Sequence, residues 1–549
     1  MDDPTRVEWR EWGQAAFDEA TEADSPVLLS LTATWCDHCH EMDEETYAEP
    51  RIAANINDSF VPIRVDVDRH PRVRDRYNMG GFPSTVFLAP DGSVLTGAGY
   101  LGPDGMRQVL DSVRTMWQTK GSGAGRVPRP LREDNPPAGD LTVDVESAML
   151  GQLSETYDEV AGGWGGSPKF PLPDALEFAL KRDREMALRS YDAVSANLLD
   201  EYDGGFYRFA AERDWSGLQH EKLLDSNGAL VRAFANAYLV TGKDEYRDPA
   251  ERTIDYLTTT LWNDDVDAFA NSQAPGEDEA HGLDATDRAT ADKPPVDEGV
   301  FAGPNGLAIE GLLTYYAYTD DERARRYAER ALETLRDELL VDGVVAHVVE
   351  NGSNGGEANE PIPLLANQAR VLAALTTAAS TLETDVLDDA MAIADATIER
   401  LHDGASFHDG PAAGAGLLER PLRPLDTNVA IADALLELAV LTGEEQYREV
   451  TRETLEAFAG ASDRFGVQMA RYATAVSRLL EGPLVIRVAT EPGTDLHRAA
   501  LRLADHEKVV VPNADGLESG TARVERDDQT SEVAETPDEL SNRVQSILE

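Results

Sequence analysis

Two cysteines three positions apart are the residues of this chain whose types and spacing point most directly to chemistry. They stand in TATWCDHCHEM, residues 32–42, and the 549-residue chain contains no others. A short apolar strand candidate, PVLLSLTA, precedes them, so we expect a helix to begin at Cys36. The positive end of that helix favours a thiolate at Cys36, and Cys39 follows one turn later, where it can resolve a mixed disulfide. This pattern is typical of dithiol redox chemistry.

The residues around the two thiols would tune and shape such a site. A histidine at position 38, directly before Cys39, stabilises a nearby thiolate and makes the disulfide easier to reduce, whereas Asp37 acts in the opposite direction. We therefore expect a moderately lowered pKa for Cys36. The predicted shaping residues are Trp35, His38, His40 and Pro83, the last in GGFPSTVFL, where a proline can face the sulfurs from another loop.

Two other interpretations of the same residues stay open. Thiolates and imidazoles suit zinc and copper, so Cys36, His38, Cys39 and His40 have the right atoms for a metal site. All four lie within five positions, however, which is too close to wrap one tetrahedral ion without help. The pair is also compatible with a redox-inert remnant of a fold. Thiol redox is the interpretation we favour, and it requires neither a metal nor a soluble cofactor.

The elements that must position these residues form a small domain over residues 1–118. Helical and strand patterns alternate there before a hairpin at Asp91-Gly92 and a closing helix, which predicts an α/β domain. Residues 119–140 are dense in glycine and proline without periodicity, so they are predicted to be a linker.

Residues 141–482 are almost wholly helical and repeat. Each unit has an aligned asparagine, an apolar helix, a turn and a more charged second helix; the asparagines are Asn227, Asn305, Asn367 and Asn428. Helices that are apolar on most sides, paired with amphipathic ones, predict two concentric rings. We expect a closed α/α toroid of five to seven hairpins, followed by a small α/β appendage over residues 483–549.

Two non-periodic stretches of the helical region carry candidate pocket residues. Aromatic side chains among glycines and mixed charges, just ahead of inner helices, suit a ligand pocket at one end of a toroid. The candidates are Trp164, Lys169, Phe170, Trp215, His220, Glu221, Lys222 and Asp225. The two tryptophans could stack on a sugar ring, and His220 with Glu221 could serve as acid and base. Alternatively, Asp225 and Asp426 are helix N-caps, the asparagines share such a local role, and His220 is a hydrogen-bonding residue of the core.

Composition narrows the class of protein. The chain has 102 Asp and Glu against 49 Lys and Arg, a formal net charge of −53, spread along its whole length. Such a surface indicates adaptation to very high salt, where self-repulsion is screened.

Nucleic-acid binding, which needs clustered Lys and Arg, is excluded. The start MDDPTRVEWREW lacks a secretory pattern, and no apolar run approaches the roughly 18 residues of a membrane span, so a cytoplasmic protein without membrane contact is expected.

Residues 5–118 resemble the thioredoxin superfamily in the order strand, WCxxC on a helix, strand, helix, Gly-x-Pro, hairpin and helix. The resemblance implies that Cys36 attacks, Cys39 resolves and the Phe82–Pro83 bond is cis. One position departs from it. Thioredoxins carry a buried Asp six residues before the first Cys that helps to deprotonate the resolving thiol, and this chain has Ser30 there.

Four motifs in order, WCDHCHEM, GGWGGSPKFPLPDAL, DGGFYRFAAERDW and LQHEKLLDSNGAL, resemble the thioredoxin-domain-containing family typified by spermatogenesis-associated protein twenty. The resemblance, with a haloarchaeal type of composition, implies a thioredoxin-like domain joined to an α/α toroid like those of six-hairpin glycosidases and N-acylglucosamine 2-epimerases, which act mostly on carbohydrates. Relatives usually carry Cys-His-x-Cys-His; here Asp37 and His38 replace its second and third residues.

Three functions follow as hypotheses. The first is a thiol–disulfide oxidoreductase whose toroid binds a carbohydrate-like ligand or presents the redox site to a protein dithiol or disulfide partner. The second is a sugar-active isomerase, epimerase or hydrolase centred on His220 and Glu221, with the thioredoxin-like domain as an accessory. The third is a non-enzymatic redox sensor or binding protein.

Overall fold

The computed structural model describes residues 5–132, 135–276, 281, 283, 285–288, 290–349 and 361–548. The chain forms two compact units. Unit 1 comprises Met1–Asn135 together with Asp409–Leu422, and unit 2 comprises Pro136–His408 together with Arg423–Glu549.

Unit 1 is built on a four-stranded sheet in the order β2-β1-β3-β4. β1 pairs with β2 in parallel and with β3 in antiparallel orientation, and β4 closes the antiparallel edge. The strands are β1 (Val27–Thr32), β2 (Val61–Asp66), β3 (Ser84–Leu88) and β4 (Val94–Ala98); the helices are α1 (Gln14–Glu22), α2 (Asp37–Met42), α3 (Pro50–Ser59), α4 (Pro71–Tyr77) and α5 (Pro103–Lys120). The central β1 is apolar because it is buried on both faces. This is the thioredoxin-like α/β architecture that the sequence predicts.

Unit 1 extends beyond the predicted boundary at residue 118. The backbone groups of Arg126 pair with those of Val94 at the edge of β4, at 2.9 Å each way, and Leu131 is buried. The first part of the glycine- and proline-rich stretch therefore packs onto the sheet, because its backbone satisfies an otherwise open strand edge.

Unit 2 is a closed ring of helical hairpins. Among the described residues, six inner helices follow one another around the ring, and the last contacts the first. The inner helices are α7 (Pro173–Arg182), α9 (Leu224–Thr241), α12 (Ala302–Thr319), α14 (Leu365–Thr381), α16 (Leu425–Thr442) and α18 (Ala470–Glu481); the outer helices are α6 (Asp144–Thr156), α8 (Arg184–Leu198), α10 (Asp244–Tyr256), α13 (Glu322–Thr334), α15 (Leu387–Leu401) and α17 (Glu445–Ala459), and α11 (Ala285–Arg288) lies in a connection. The predicted α/α toroid is confirmed.

Short strand pairs join the hairpins of the ring. They are β5 (Phe209–Ala210) with β6 (Leu218–Gln219), β7 (Lys222–Leu223) with β10 (Ser272–Gln273) and β11 (Val296–Asp297), β8 (Trp262–Asn263) with β9 (Ala268–Phe269), and β12 (Leu340–Val341) with β13 (Val344–Val345).

The aligned asparagines lie inside the first turns of inner helices, not at their caps. The side chain of Asn305 donates to the carbonyls of Phe301 and Phe269 and accepts from the Phe269 amide. The N-cap assignment of Asp225 and Asp426 is wrong. Both lie in the first helical turn, and the cap positions belong to Leu223 and Pro424. The backbone of the connecting segment before each of these helices is bound by the asparagine and not by the aspartate, as at Phe206 and Phe407.

The last part of unit 2 is a small α/β layer. Its elements are β14 (Val485–Val488), α19 (Asp495–Leu501), β15 (Val509–Val511), β16 (Ala522–Arg526), β17 (Gln529–Thr530) and α20 (Pro537–Leu548). β15 contacts the inner helices α14 and α16, which seats this layer on the ring. None of the helices in the described part of the chain combines the length and apolar character of a membrane crossing.

Candidate functional site

Cys36 and Cys39 form a disulfide at the start of α2, with their Cα atoms 5.3 Å apart. Cys36 is the N-cap of the helix, and its Sγ accepts a hydrogen bond from the Cys39 amide at 3.2 Å. A sulfur in that position faces the unpaired amides and the positive end of the helix dipole, which stabilise a thiolate once the disulfide is reduced. The local geometry that the spacing predicts is present.

Trp35 links the disulfide to the loop before β3. Its Nε1 donates to Asp68 at 2.8 Å, and its ring meets that of Phe82 edge-on at 5.8 Å. The Phe82–Pro83 bond is cis, as the resemblance to thioredoxins implies. Asp68 is a functional neighbour that sequence reasoning missed, since nothing in its type distinguishes it from the other acidic residues.

The two histidines of the motif bind groups away from the sulfurs. His38 is 68% exposed at its side chain, and its Nδ1 lies 3.2 Å from the Glu41 carboxylate. Glu41 also accepts from the Tyr100 hydroxyl at 3.1 Å. The Nε2 of His40 lies 3.0 Å from the carbonyl of Thr34. Within the described residues, no three His, Cys, Asp or Glu side chains form a group that could hold a metal ion.

Ser30 lies buried in the middle of β1, opposite Thr85 of β3. Burial raises the pKa of the neighbouring Tyr47, while hydrogen bonds to Thr85 and Ser30 act against that rise. Hydroxyl groups therefore occupy the position where thioredoxins carry a carboxylate.

Of the predicted pocket residues, Lys169 pairs with the buried carboxylate of Asp158, and Trp164 and Trp215 lie in the core of the ring. The Lys169 ammonium is fully buried and lies 3.1 Å from Asp158; it also donates to the carbonyls of Gly162 and Gly165. Trp215 donates from Nε1 to the Ala161 carbonyl at 2.8 Å. Trp164 is 3% exposed and belongs to the core of the ring. Phe170, in contrast, is exposed and stacks on Phe209 at 4.7 Å.

A second buried cluster holds Lys222. Its ammonium donates to Asp200 at 2.8 Å and to the Gly204 carbonyl at 2.7 Å. Burial lowers the pKa of Lys222, and Asp200 opposes this. Burial works against the charge of Asp200 in turn, but the Lys222 ammonium outweighs it and brings the pKa of Asp200 to about 2.

His220 and Glu221 lie beside this cluster. The His220 ring stacks on that of His281, with 3.8 Å between centroids, and meets the edge of Tyr207. Glu221 is 6% exposed and pairs with Arg208 at 3.0 Å. The Glu221 carboxylate is therefore engaged with a guanidinium at the place where the sequence predicts an acid or base.

A cavity of about 260 Å³ opens at the N-terminal ends of the inner helices, and we call it the ring-mouth cavity. Its polar lining residues are Asp174, Asp225, Ser226, Arg232, Arg370, Asp426, Thr427, Gln468 and Arg471. Of the eight predicted pocket residues, all of them described, Asp225 alone lines it. Asp225 and Asp426 each precede an aligned asparagine by two positions. That repeated spacing is the sequence feature that could have predicted that both residues line the same cavity.

Deeper along the same helices, ion pairs line a second cavity of about 100 Å³. Arg232 pairs with Glu177 at 2.9 Å and with Glu310 at 2.8 Å, while Asp433 accepts from both Arg471 and Arg478. Burial raises the pKa of Glu177, and Arg232 opposes that rise. This network was not predicted, because its members come from five helices scattered through the sequence.

The N-terminal part of the chain is similar to a known family. Residues 2–128 match the family Thioredox_DsbH, described as a protein of unknown function, DUF255. Part of the chain is 35% identical over 82 residues to the thiol:disulfide interchange protein DsbD 1 of Pseudomonas aeruginosa, 14% of each chain.

Longer matches extend beyond residues 2–128. The chain is 30% identical over 292 residues to spermatogenesis-associated protein 20 of Homo sapiens, covering 46% of this chain and 37% of the human protein. It thus spans well under half the length of the curated relatives it matches. The match confirms the resemblance carried by the four motifs.

Solved structures similar to the chain include sugar-converting enzymes. A D-mannose isomerase aligns with 61% of this chain and 96% of its own at 12% identity and a TM-score of 0.47. Cellobiose 2-epimerase from Bacillus thermoamylovorans aligns with 57% of this chain and 85% of its own, at 12% identity and a TM-score of 0.45.

Proposed function

We propose that this protein is a thiol–disulfide oxidoreductase in which the Cys36–Cys39 pair exchanges electrons with a protein dithiol or disulfide. The single observation that carries this is the cysteine pair itself, closed as a disulfide with Cys36 capping α2. The family match and the likeness to an interchange protein support the same chemistry.

The reaction is a two-step exchange. The Cys36 thiolate attacks one sulfur of a substrate disulfide, forming a mixed disulfide and releasing one substrate thiolate. The Cys39 thiolate then attacks the Cys36 sulfur, which closes the Cys36–Cys39 disulfide and releases the second substrate thiolate. Two electrons pass from the dithiol to the substrate, and an external dithiol restores the reduced form.

The first test is the reduction potential of the pair, measured in molar salt by equilibration with glutathione and thiol alkylation. A two-electron transition between about −120 and −270 mV, the range of thioredoxin-fold oxidoreductases, is expected. A Cys39→Ser variant should accumulate mixed disulfides with substrate proteins, and a Cys36→Ser variant should accumulate none. Thiols that form no disulfide at any potential would overturn the proposal and favour an inert or metal-binding pair.

A reducing, salt-rich cytosol is the compartment we propose for this activity. The net charge of −53 supports the salt requirement, and the presence of just two cysteines in 549 residues suits a reducing environment. The helical unit should gain stability as potassium chloride rises toward molar concentration, because screening relieves self-repulsion. Stability that is independent of salt would contradict this assignment.

A ligand site in the ring-mouth cavity is the second function we propose, with a carbohydrate-like small molecule as the ligand. Arg370 lines the cavity, and among the described residues its side chain forms no hydrogen bond or ion pair. It offers guanidinium donors in the same cavity as the carboxylates of Asp225 and Asp426, which accept bonds from hydroxyl groups. Apolar contacts from Leu307 and Met469 complete a surface suited to a polyhydroxylated ligand.

Calorimetric titration with glucose, mannose and glucosamine tests this site. Binding by the wild-type chain should be lost in Arg370→Ala and kept in Arg326→Ala, whose guanidinium is exposed on the outer helix α13. Loss of binding in a His220→Ala variant, with Arg370→Ala unaffected, would instead favour the sugar-active centre at His220 and Glu221. Ligand-dependent protection of the thiols without any exchange activity would favour the sensor hypothesis.

A further inference from the structure

A segment far along the chain, Asp409–Leu422, belongs to unit 1 although the residues on both sides of it belong to unit 2. We call it the clasp segment. Its ends are tied together, because the Asp409 amide donates to the Leu422 carbonyl at 2.8 Å and the Leu422 amide donates to the Asp409 carboxylate at 2.8 Å.

Asp409 is held by two arginines of α4. Its Oδ2 accepts from Arg72 Nε at 3.2 Å and from Arg76 Nη1 at 2.7 Å, and its Oδ1 accepts from Arg76 Nη2 at 3.2 Å. All three residues are at most 9% exposed. Removing the carboxylate would leave two guanidiniums buried without a counter-charge, and an uncompensated buried charge strongly destabilises the folded state.

The two arginines also donate hydrogen bonds to backbone carbonyls of the clasp segment. Arg72 donates to the carbonyls of Pro411, Ala413 and Leu418, and Arg76 donates to those of Leu417 and Arg420. The Tyr77 hydroxyl accepts from the Leu417 amide at 3.0 Å. One face of α4 is therefore committed to the clasp segment.

The same helix leads directly into the loop that contacts the redox motif. Asn78 follows α4, and its side chain accepts from the amides of Gly80 and Gly81 at 2.8 and 2.9 Å. Phe82 comes next and packs against Trp35, the neighbour of Cys36. A continuous set of contacts thus runs from Asp409 through α4 and this loop to the disulfide.

We infer that Asp409 is a positioning residue of the redox site: by fixing α4 it sets the place of the Asn78–Pro83 loop against the cysteine pair. The inference rests on the proposed redox function. Loosening this loop should impair docking of a protein disulfide, which needs the loop, more than reaction with a small reagent, which does not.

The test compares the full-length wild-type chain with Asp409→Asn and with Asp433→Asn. Asp433 is a matched control, since it is also a buried carboxylate bound by two arginines, but it lies in the ring. The reduced proteins are assayed for reduction of insulin and for reaction with 5,5′-dithiobis(2-nitrobenzoate), well below their unfolding temperatures. Asp409→Asn should reduce insulin at least about tenfold more slowly, as misplaced positioning groups do, with little change toward the small reagent. Asp433→Asn should match the wild type in both assays.

Equal slowing in both assays, or equal slowing in both variants, would overturn the inference. A wild-type chain that does not reduce insulin would instead contradict the proposed function. The inference would then be decided by the dithiothreitol equilibrium of the disulfide, which needs no protein substrate. There Asp409→Asn should change the equilibrium relative to Asp433→Asn, because the loop that follows α4 packs through Phe82 against Trp35 beside Cys36, and an unchanged equilibrium would overturn it.

Discussion

Asn428 binds both backbone polar groups of Phe407. Its Oδ1 accepts from the Phe407 amide at 2.8 Å and its Nδ2 donates to the Phe407 carbonyl at 3.0 Å. Asn227 makes the same pair of bonds with Phe206. At three of the four aligned positions, Asn227, Asn305 and Asn428, the asparagine thus binds the connecting turn to the next inner helix.

Asn428→Ala should destabilise the helical unit by about 2–4 kcal/mol, because two buried backbone groups of Phe407 lose their partners. Asn367→Ala should cost less than half as much, since within the described part of the chain the Asn367 side chain contacts the His347 ring and no backbone pair. Urea unfolding followed by circular dichroism measures both. Equal losses in the two variants would contradict the anchoring role.

The parts of the fold and of the candidate site that the sequence predicts are those whose contacts are local in sequence. Cys36, Cys39 and the helix between them lie within four residues, so spacing and helix physics alone predicted a cysteine pair at the start of a helix, where the disulfide lies. The toroid followed from repetition, since four aligned asparagines marked the same point of successive hairpins. Both inferences use relationships that sequence order preserves.

The parts that escaped prediction depend on partners distant in sequence or on backbone groups. Arg72 and Asp409 are 337 positions apart, and in a chain with 102 acidic residues nothing selects the right one. The partners of Lys169 could not be predicted either, because Asp158 is one acidic residue among many and the carbonyls of Gly162 and Gly165 belong to the backbone. The full burial of Lys169 is a property of the folded ring.

Lys222→Met should destabilise the helical unit by about 3–5 kcal/mol, because it leaves the buried carboxylate of Asp200 without its ammonium. Arg288, which also binds Asp200, compensates in part. The exposed Lys243 is the matched control, and Lys243→Met should leave the unfolding midpoint unchanged. Unchanged stability in Lys222→Met, with ligand binding lost, would restore Lys222 as a pocket residue.

His38→Gln should make the disulfide harder to reduce. Glu41 holds the exposed imidazole beside the motif at 3.2 Å, and a histidine beside the pair stabilises the thiolate of the reduced form. Its removal should lower the reduction potential by about 15–30 mV, a threefold to tenfold change in the glutathione equilibrium. His40→Gln should cause no shift, since that ring binds the Thr34 carbonyl. An equal shift in both variants would mean that the two rings act as general surface charge.

His506 should make the helical unit less stable as the pH falls below neutrality. The imidazole Nε2 of His506 donates to the Glu177 carbonyl at 3.1 Å. Burial lowers the pKa of His506 from 6.5 to about 4, against the opposing carboxylates of Glu507 and Asp505. Between these two values the unfolded chain binds a proton that the folded chain does not. The stability contributed by the neutral ring is therefore complete above about pH 6.5 and is lost progressively toward pH 4.

Unfolding free energies measured between pH 4 and 7 test this for the wild type and for His506→Gln, which retains a donor for the Glu177 carbonyl. The wild-type curve should fall relative to the variant's by up to about 3 kcal/mol across that interval, since one pKa unit corresponds to about 1.4 kcal/mol. His40→Gln, altered at a surface imidazole of unit 1, should run parallel to the wild type. If the His506→Gln curve ran parallel to the wild-type curve, the imidazole would take up a proton equally well in the folded and unfolded chains. Burial of His506 would then not disfavour its charged form.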